Sequence, residues 1–173
     1  MSEPDLELES RRAIYQHVAD NPGVHFRALL DEFEYAQGTV QYQLRWLADE
    51  KLVDVSDDGK YTRYYPAAEF DEVDRTVMNA LRRKYSRRVL AHLLADGPLS
   101  TTELSDRLDK SKSTVSWHLS NLSEADLVTK ERDGRSVVYA VGDPDRVTYL
   151  YTVHQRSFTD RVVDRLLGLW DSY

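Results

Sequence analysis

Residues 110–122 read KSKSTVSWHLSNL and bring lysine ammonium groups, hydroxyls and one indole together on a stretch without a carboxylate. Ser113, Ser116, Trp117 and Ser120 lie opposite an apolar set, Val115, Leu119 and Leu122, whose spacing is helical. Such a face can hydrogen-bond phosphate oxygens and base edges, and its small side chains let a helix backbone come close to them. Lys110, Ser111 and Lys112 stand where the helix starts, and the partly positive end of a helix suits an anion. The chemistry is binding, not bond-making. The chain has no cysteine, which removes disulfides, thiolate zinc sites and a cysteine nucleophile. Its five histidines, His17, His25, His92, His118 and His154, show no metal-ligand spacing. There is no glycine-rich phosphate loop, no fixed carboxylate pair and no nucleophile with its base. No enzymatic activity, metal or cofactor is expected. Trp117 stays open between contact with a thymine methyl or sugar and a place in a groove between domains. His118 stays open between half-buried packing and a phosphate contact.

The 173 residues carry a formal charge of −7 with 41% hydrophobic content, enough for folded cores in one or two domains. Asp outnumbers Glu by 19 to 11 and Arg outnumbers Lys by 17 to 6. This acidic, lysine-poor balance resembles that of proteins from salt-loving archaea. At 1 M salt the Debye length is about 3 Å, so a local basic patch can act in spite of the net charge. No apolar run reaches membrane-helix length, and the acidic start MSEPDLELES is unlike a signal peptide. A cytoplasmic protein without membrane attachment is expected.

A helix must be held to present such a face, and the sequence shows the holding elements twice. Shifted by 75 residues, GTVQYQLRWL (38–47) falls on STVSWHLSNL (113–122), Leu52-Val53 on Leu127-Val128, and Asp58-Gly59 on Asp133-Gly134. With one residue deleted, RRAIYQHVAD (11–20) also falls on RRVLAHLLAD (87–96). Each copy reads as an amphipathic helix, a short second helix, a polar turn, a third helix and a hairpin. Ser100 and Glu103 have capping-box spacing at the start of the second helix in copy two. Asp-Gly between β-formers marks each hairpin. That order is a winged helix-turn-helix, whose third helix is built to enter the DNA major groove. The expected fold is mostly α with small β-hairpins (α+β): two tandem winged helix-turn-helix domains, a connector helix and a long C-terminal helix.

Copy two, with SKSTVSWHLSNL, DLV and DGRSVVYAV, resembles the ArsR-type winged helix. Copy one, with PGVHFRALL, GTVQYQLRWL and RYYP, resembles a related archaeal winged helix. Tandem copies of this kind are similar to archaeal, especially haloarchaeal, transcriptional regulators. The resemblance implies double-stranded DNA as partner. Thiol-based metal sensing, common among ArsR-type repressors, does not carry over to a chain without cysteine.

The expected layout is an acidic tail (1–10), winged helix-turn-helix 1 (11–66), a connector helix (67–85), winged helix-turn-helix 2 (86–142) and a C-terminal dimerisation helix (143–173). Domain 2 is expected to bind DNA through Lys110, Ser111, Lys112, Ser113, Ser116, Trp117 and Ser120, with Arg132 and Arg135 on its wing. Domain 1 offers Gln37, Gln41, Tyr42 and Arg45, with Lys60 and Arg63 on a wing that also carries Asp57 and Asp58. Formal charge is −2 over 11–66 and zero over 86–142, so domain 2 is expected to be the stronger binder. The connector stripe is Phe70, Val73, Val77, Leu81 and Tyr85, running into RRKYSRR (82–88), a basic run readable as a phosphate contact or as a pairing strip. After Asp143-Pro144 one helix of about 25 residues is expected, apolar over more than one face. Leu150, His154, Phe158, Val162, Leu166, Leu169 and Trp170 would pair it with a second copy in a homodimer. The leading reading is a sequence-specific DNA-binding transcriptional regulator. The alternative is a winged-helix interaction module in a transcription or chromosome-organising complex. The residues name no small-molecule effector.

Overall fold

The computed structural model describes residues 8–169 and divides into two compact units, one ending at Asn79 and the other beginning at Ala80. Each unit is a winged helix-turn-helix, mostly α with a small antiparallel sheet.

In the first unit α1 (Glu9–Asp20) buries Ile14 and Val18, and α3 (Gln37–Asp49) buries Val40, Leu44 and Leu47. These close with Leu29 of α2 (Phe26–Glu32) and Val53 of β2 (Val53–Asp57) into one apolar core. Arg11, on the buried face of α1, has partners there. Its Nε donates to Gln43 Oε1 at 2.9 Å and its guanidinium lies 3.6 Å from the Trp46 ring centre. β3 (Thr62–Pro66) runs between β2 and the two-residue β1 (Val24–His25), with Val53 opposite Pro66 and Val24 opposite Tyr64. The turn needs Gly59, whose φ of +86° excludes most other residues. From β3, the Tyr65 hydroxyl reaches Arg75 O and Asn79 Oδ1, so α4 (Glu72–Leu81) is tied to the wing.

The second unit repeats the plan. α5 (Lys84–Asp96), β4 (Leu99–Ser100), α6 (Thr101–Leu108), α7 (Lys112–Glu124), β5 (Val128–Asp133) and β6 (Ser136–Val141) follow in order. The sheet is ordered β4-β6-β5, with Leu99 opposite Tyr139 and Asp133 opposite Ser136. The expected capping box is present: Glu103 N donates to Ser100 Oγ at 3.2 Å, and Ser100 N to Glu103 Oε2 at 2.7 Å. The short strands β1 and β4 are additions to the expected hairpins. Two residues carry too little periodic signal to be read from sequence.

Two joints differ from expectation. The connector is the ten-residue α4, interrupted at Arg82–Arg83, so Tyr85 belongs to α5 and Val73 is exposed. The C-terminal region is not one long helix but α8 (Pro144–Val153), α9 (Gln155–Phe158) and α10 (Arg161–Leu166). Asp143 caps α8 with Pro144 at its first position, as the sequence implies. One break comes at His154, the other at Thr159, in the left-handed region at φ +49°, and Asp160, whose Oδ1 accepts from Val162 N at 3.2 Å. Asp160 is 3% exposed, and its Oδ2 takes the Nε of Arg87 at 2.9 Å and of Arg88 at 3.3 Å. Tyr151 stacks on Phe158 at 4.9 Å and donates to Asp164 Oδ1 at 2.5 Å. Leu150, Phe158 and Val163 of the broad apolar arc are thus buried within one chain. Leu150 and Phe158, expected at a dimer face, are buried in their own unit, while Trp170 lies outside the described residues. No helix among the described residues is long and apolar enough to cross a membrane.

Removing one partner of a buried ion pair strands the other charge, at a cost of about 3–5 kcal/mol. Asp160→Ala is therefore expected to lower the unfolding free energy by about that amount in a urea titration followed by circular dichroism.

Candidate nucleic-acid interface

Burial of Val115, Leu119 and Leu122 sets the rotation of α7. Ser113, Ser116, Trp117 and Ser120 then face solvent, with Trp117 59% exposed. Ser111 begins the helix as its cap: its Oγ accepts from Thr114 N at 3.2 Å and contacts Ser113 Oγ at 3.1 Å. Lys110 and Lys112 flank it, both exposed. The turn into α7 is fastened by Ser105 Oγ, which donates to Lys110 O at 2.5 Å. Trp117 meets His118 edge-on at 5.0 Å, and the His118 ring tilts against Tyr85 at 6.0 Å. His118 is half-buried packing, with its Nδ1 enclosed. On the wing, Arg132 and Arg135 flank the Asp133-Gly134 turn, and β5 is exposed from Thr129 onward. The structure therefore gathers all nine domain 2 residues at the solvent boundary of α7 and its wing.

The first unit presents Gln37, Gln41, Tyr42 and Arg45 on α3, all exposed. Between α3 and the wing lies a cleft of about 500 Å³ lined by Phe26, Gln41, Leu44, Arg45, Val55 and Tyr64, among others. Its wing differs from expectation. Lys60 is exposed, but Arg63 is 2% exposed and cannot reach a partner. Its Nε donates to Asp58 Oδ2 at 2.6 Å and its Nη1 to Gly23 O at 2.9 Å. Asp58 also accepts from the amides of Lys60 and Tyr61. Burial opposes its charge, but the Arg63 hydrogen bond and these two amides outweigh it and hold the carboxyl at about 2. Period-2 alternation is a weak guide for a five-residue strand, so Arg63 and its inward direction were not distinguishable by sequence.

RRKYSRR is likewise resolved. Arg82 donates to Ser157 O at 3.0 Å and Ser157 Oγ at 2.8 Å, while Arg87 and Arg88 hold Asp160. These three arginines pair with the C-terminal region. Sequence reasoning also missed His25, whose Nδ1 caps α2 by accepting from Ala28 N at 3.1 Å. Its ring stacks on Tyr61 at 4.4 Å. The signal was present in the repeat, since His25 aligns with the capping Ser100. Among the described residues no group of three or more His, Asp or Glu side chains is placed to hold a metal ion.

With this geometry in view, comparison with known proteins agrees with the two-unit reading. A family model described as an N-terminal HTH domain matches residues 8–78, and one described as a helix-turn-helix domain matches residues 83–131. An HTH-type transcriptional regulator of Methanocaldococcus jannaschii is 27% identical over 135 residues, which is 78% of this chain. The chain spans 34% of that relative's length. Among solved structures, reduced HlyU from Vibrio cholerae is 26% identical, covering 49% of this chain and 87% of its own, with a TM-score of 0.42. The transcriptional repressor PagR of Bacillus anthracis is 20% identical, covering 47% and 93%, with a TM-score of 0.43.

Burial lowers the pKa of His25, His92, His118 and His154 below the usual imidazole value. The unfolded chain then binds more protons at acid pH than the folded one. Stability should be complete above an unfolded-state pKa of about 6.5 and fall as pH drops through it. Urea midpoints are expected to be lower at mildly acid pH than at neutral pH. An equal or higher acid midpoint would contradict these buried neutral rings.

Proposed function

We propose that this chain is a sequence-specific DNA-binding transcriptional regulator in which the second unit makes the principal DNA contact. The observation that carries the reading is the exposed α7 face. Three serines and an indole lie between two lysines at the helix start and two arginines on the wing, in a chain of net charge −7. A solvated face in so acidic a chain would carry Asp or Glu, and residues 111–123 carry none. α7 would enter the major groove while Arg132 and Arg135 meet phosphates beside it. The HTH matches to both halves and the archaeal regulator relative support this role. The Asp-rich, lysine-poor composition suits a haloarchaeal cytoplasm, where such a regulator meets its DNA. No chemistry beyond binding is assigned to the chain.

The first unit is the weaker binder in this reading. Its α3 can offer Gln41 to adenine and Arg45 to guanine or phosphate, but its wing has lost Arg63 to the Asp58 pair. The chain acts as a homodimer through its C-terminal segments. The surface differs from the one read in sequence: Tyr149 and Val153, one turn apart on α8, and Val162 on α10 are exposed. His154, Leu166 and Leu169 are partly buried beside them.

Two experiments check these statements. Arg132→Ala with Arg135→Ala should weaken binding to a DNA duplex in a gel-shift titration by roughly tenfold, at about 1 kcal/mol per lost phosphate contact or less. Arg45→Ala should cost less, and the reverse order would assign the principal contact to the first unit. Sedimentation should find a dimer that Tyr149→Glu with Val153→Glu converts to monomer. A monomeric parent protein at micromolar concentration in high salt would defeat the dimer.

A further inference from the structure

We infer that Lys84, Tyr85 and Lys110 form a second phosphate contact of the DNA-binding unit, gripping the backbone outside the groove-facing surface of α7. This rests on the DNA-binding reading above and extends it to α5. Tyr85 lies in the first turn of α5, and Lys110 lies in the turn before α7. Lys110 Nζ is 4.7 Å from the Tyr85 ring centre and Lys84 Nζ is 5.4 Å from it. One ring therefore gathers two ammonium groups from two separate elements.

Cation–π attraction accounts for each lysine singly. It does not by itself favour the pair, because two like charges around one ring repel each other. Neither Lys84, Lys110 nor the neighbouring Lys112 pairs with a carboxylate among the described residues. The charged groups acting on the phenol are all cations. The hydrogen bond from Lys110, and then the charges of Lys110, Lys84 and Arg88, hold the phenol below its usual pKa. A concentration of positive charge without internal compensation, in an acidic chain, fits a partner that brings several negative charges. Lysine meets phosphate as a point charge and needs no fixed planar geometry.

The location agrees with this partner. From Tyr85 the ring contacts pass to His118 and on to the exposed Trp117 of the α7 face. Lys110 directly precedes the Ser111 cap and Lys112 at the start of α7, and Lys84 shares its ring. Three arginines of this basic run, Arg82, Arg87 and Arg88, are engaged with the C-terminal region. Lys84, in the same run, is exposed. The competing role is structural, with the ring and its lysines serving only to fasten α5 to α7.

The test titrates the full chain with a mixed-sequence DNA duplex across the salt range in which circular dichroism shows it folded. Lys84→Gln, Lys110→Gln and the double variant are compared with the parent. Each lost phosphate contact should flatten the slope of log affinity against log salt by about 0.9. The double variant should lose about twice that, with unchanged melting. Slopes equal to the parent's in both single variants overturn the inference and leave the DNA-binding reading standing. Weaker binding at an unchanged slope assigns the lysines to packing and overturns it too. A parent chain that binds the duplex without salt dependence overturns the inference and that reading together.

Discussion

The burial of three apolar side chains on the third helix of each unit governs most of what the molecule presents outside. Val115, Leu119 and Leu122 are each no more than 2% exposed, and a helix with that much apolar surface buried cannot rotate about its axis. Fixing the inner face fixes the outer one. The hydroxyls of Ser113, Ser116 and Ser120 and the ring of Trp117 are exposed because the opposite residues are packed. The same constraint in the first unit, through Val40, Leu44 and Leu47, turns Gln41, Tyr42 and Arg45 outward. Two helices with one packing rule thus present two chemistries. The core sets the orientation, and the exposed residues were left to diverge.

The divergence extends to the wings and is a matter of charge accounting. In wing 1 a buried Arg63–Asp58 pair organises the turn, with the carboxylate also collecting two backbone amides. That network stiffens the wing and withdraws its central cation. At the matching place wing 2 has Val138, and its arginines stay exposed at the tip. The net charge of −7 is then a poor guide to partners. The contact chemistry depends on which cations are committed internally. Arg11, Arg63, Arg82, Arg87 and Arg88 are held by the fold, whereas Lys84, Lys110, Lys112, Arg132 and Arg135 are exposed or face solvent in part.

Much of this was legible in the sequence, for physical reasons. Apolar spacing over thirteen-residue helices is a long signal, and the 75-residue repeat doubled it. Caps act over three or four positions, so the Ser100–Glu103 pair and the Asp143 cap were legible from local spacing. What escaped depends on distant pairing. Arg63 points inward toward Gly23 O, forty positions earlier, which no local periodicity marks. The C-terminal region reads as one apolar helix, since nothing within it shows that Asp160 will be drawn to Arg87 and Arg88, more than seventy positions earlier. The serines and indole of α7 were found from sequence alone. The Lys84–Tyr85–Lys110 cluster was not, because it joins two elements that only the fold brings together.

In the proposed function, DNA is met chiefly by α7 and the second wing. Titrating the isotope-labelled chain with a DNA duplex and following backbone amide chemical shifts tests this residue by residue. The largest changes are expected at residues 110–120 and 132–135, with smaller ones at 37–45. The reverse order, or changes confined to the C-terminal segments, would contradict it.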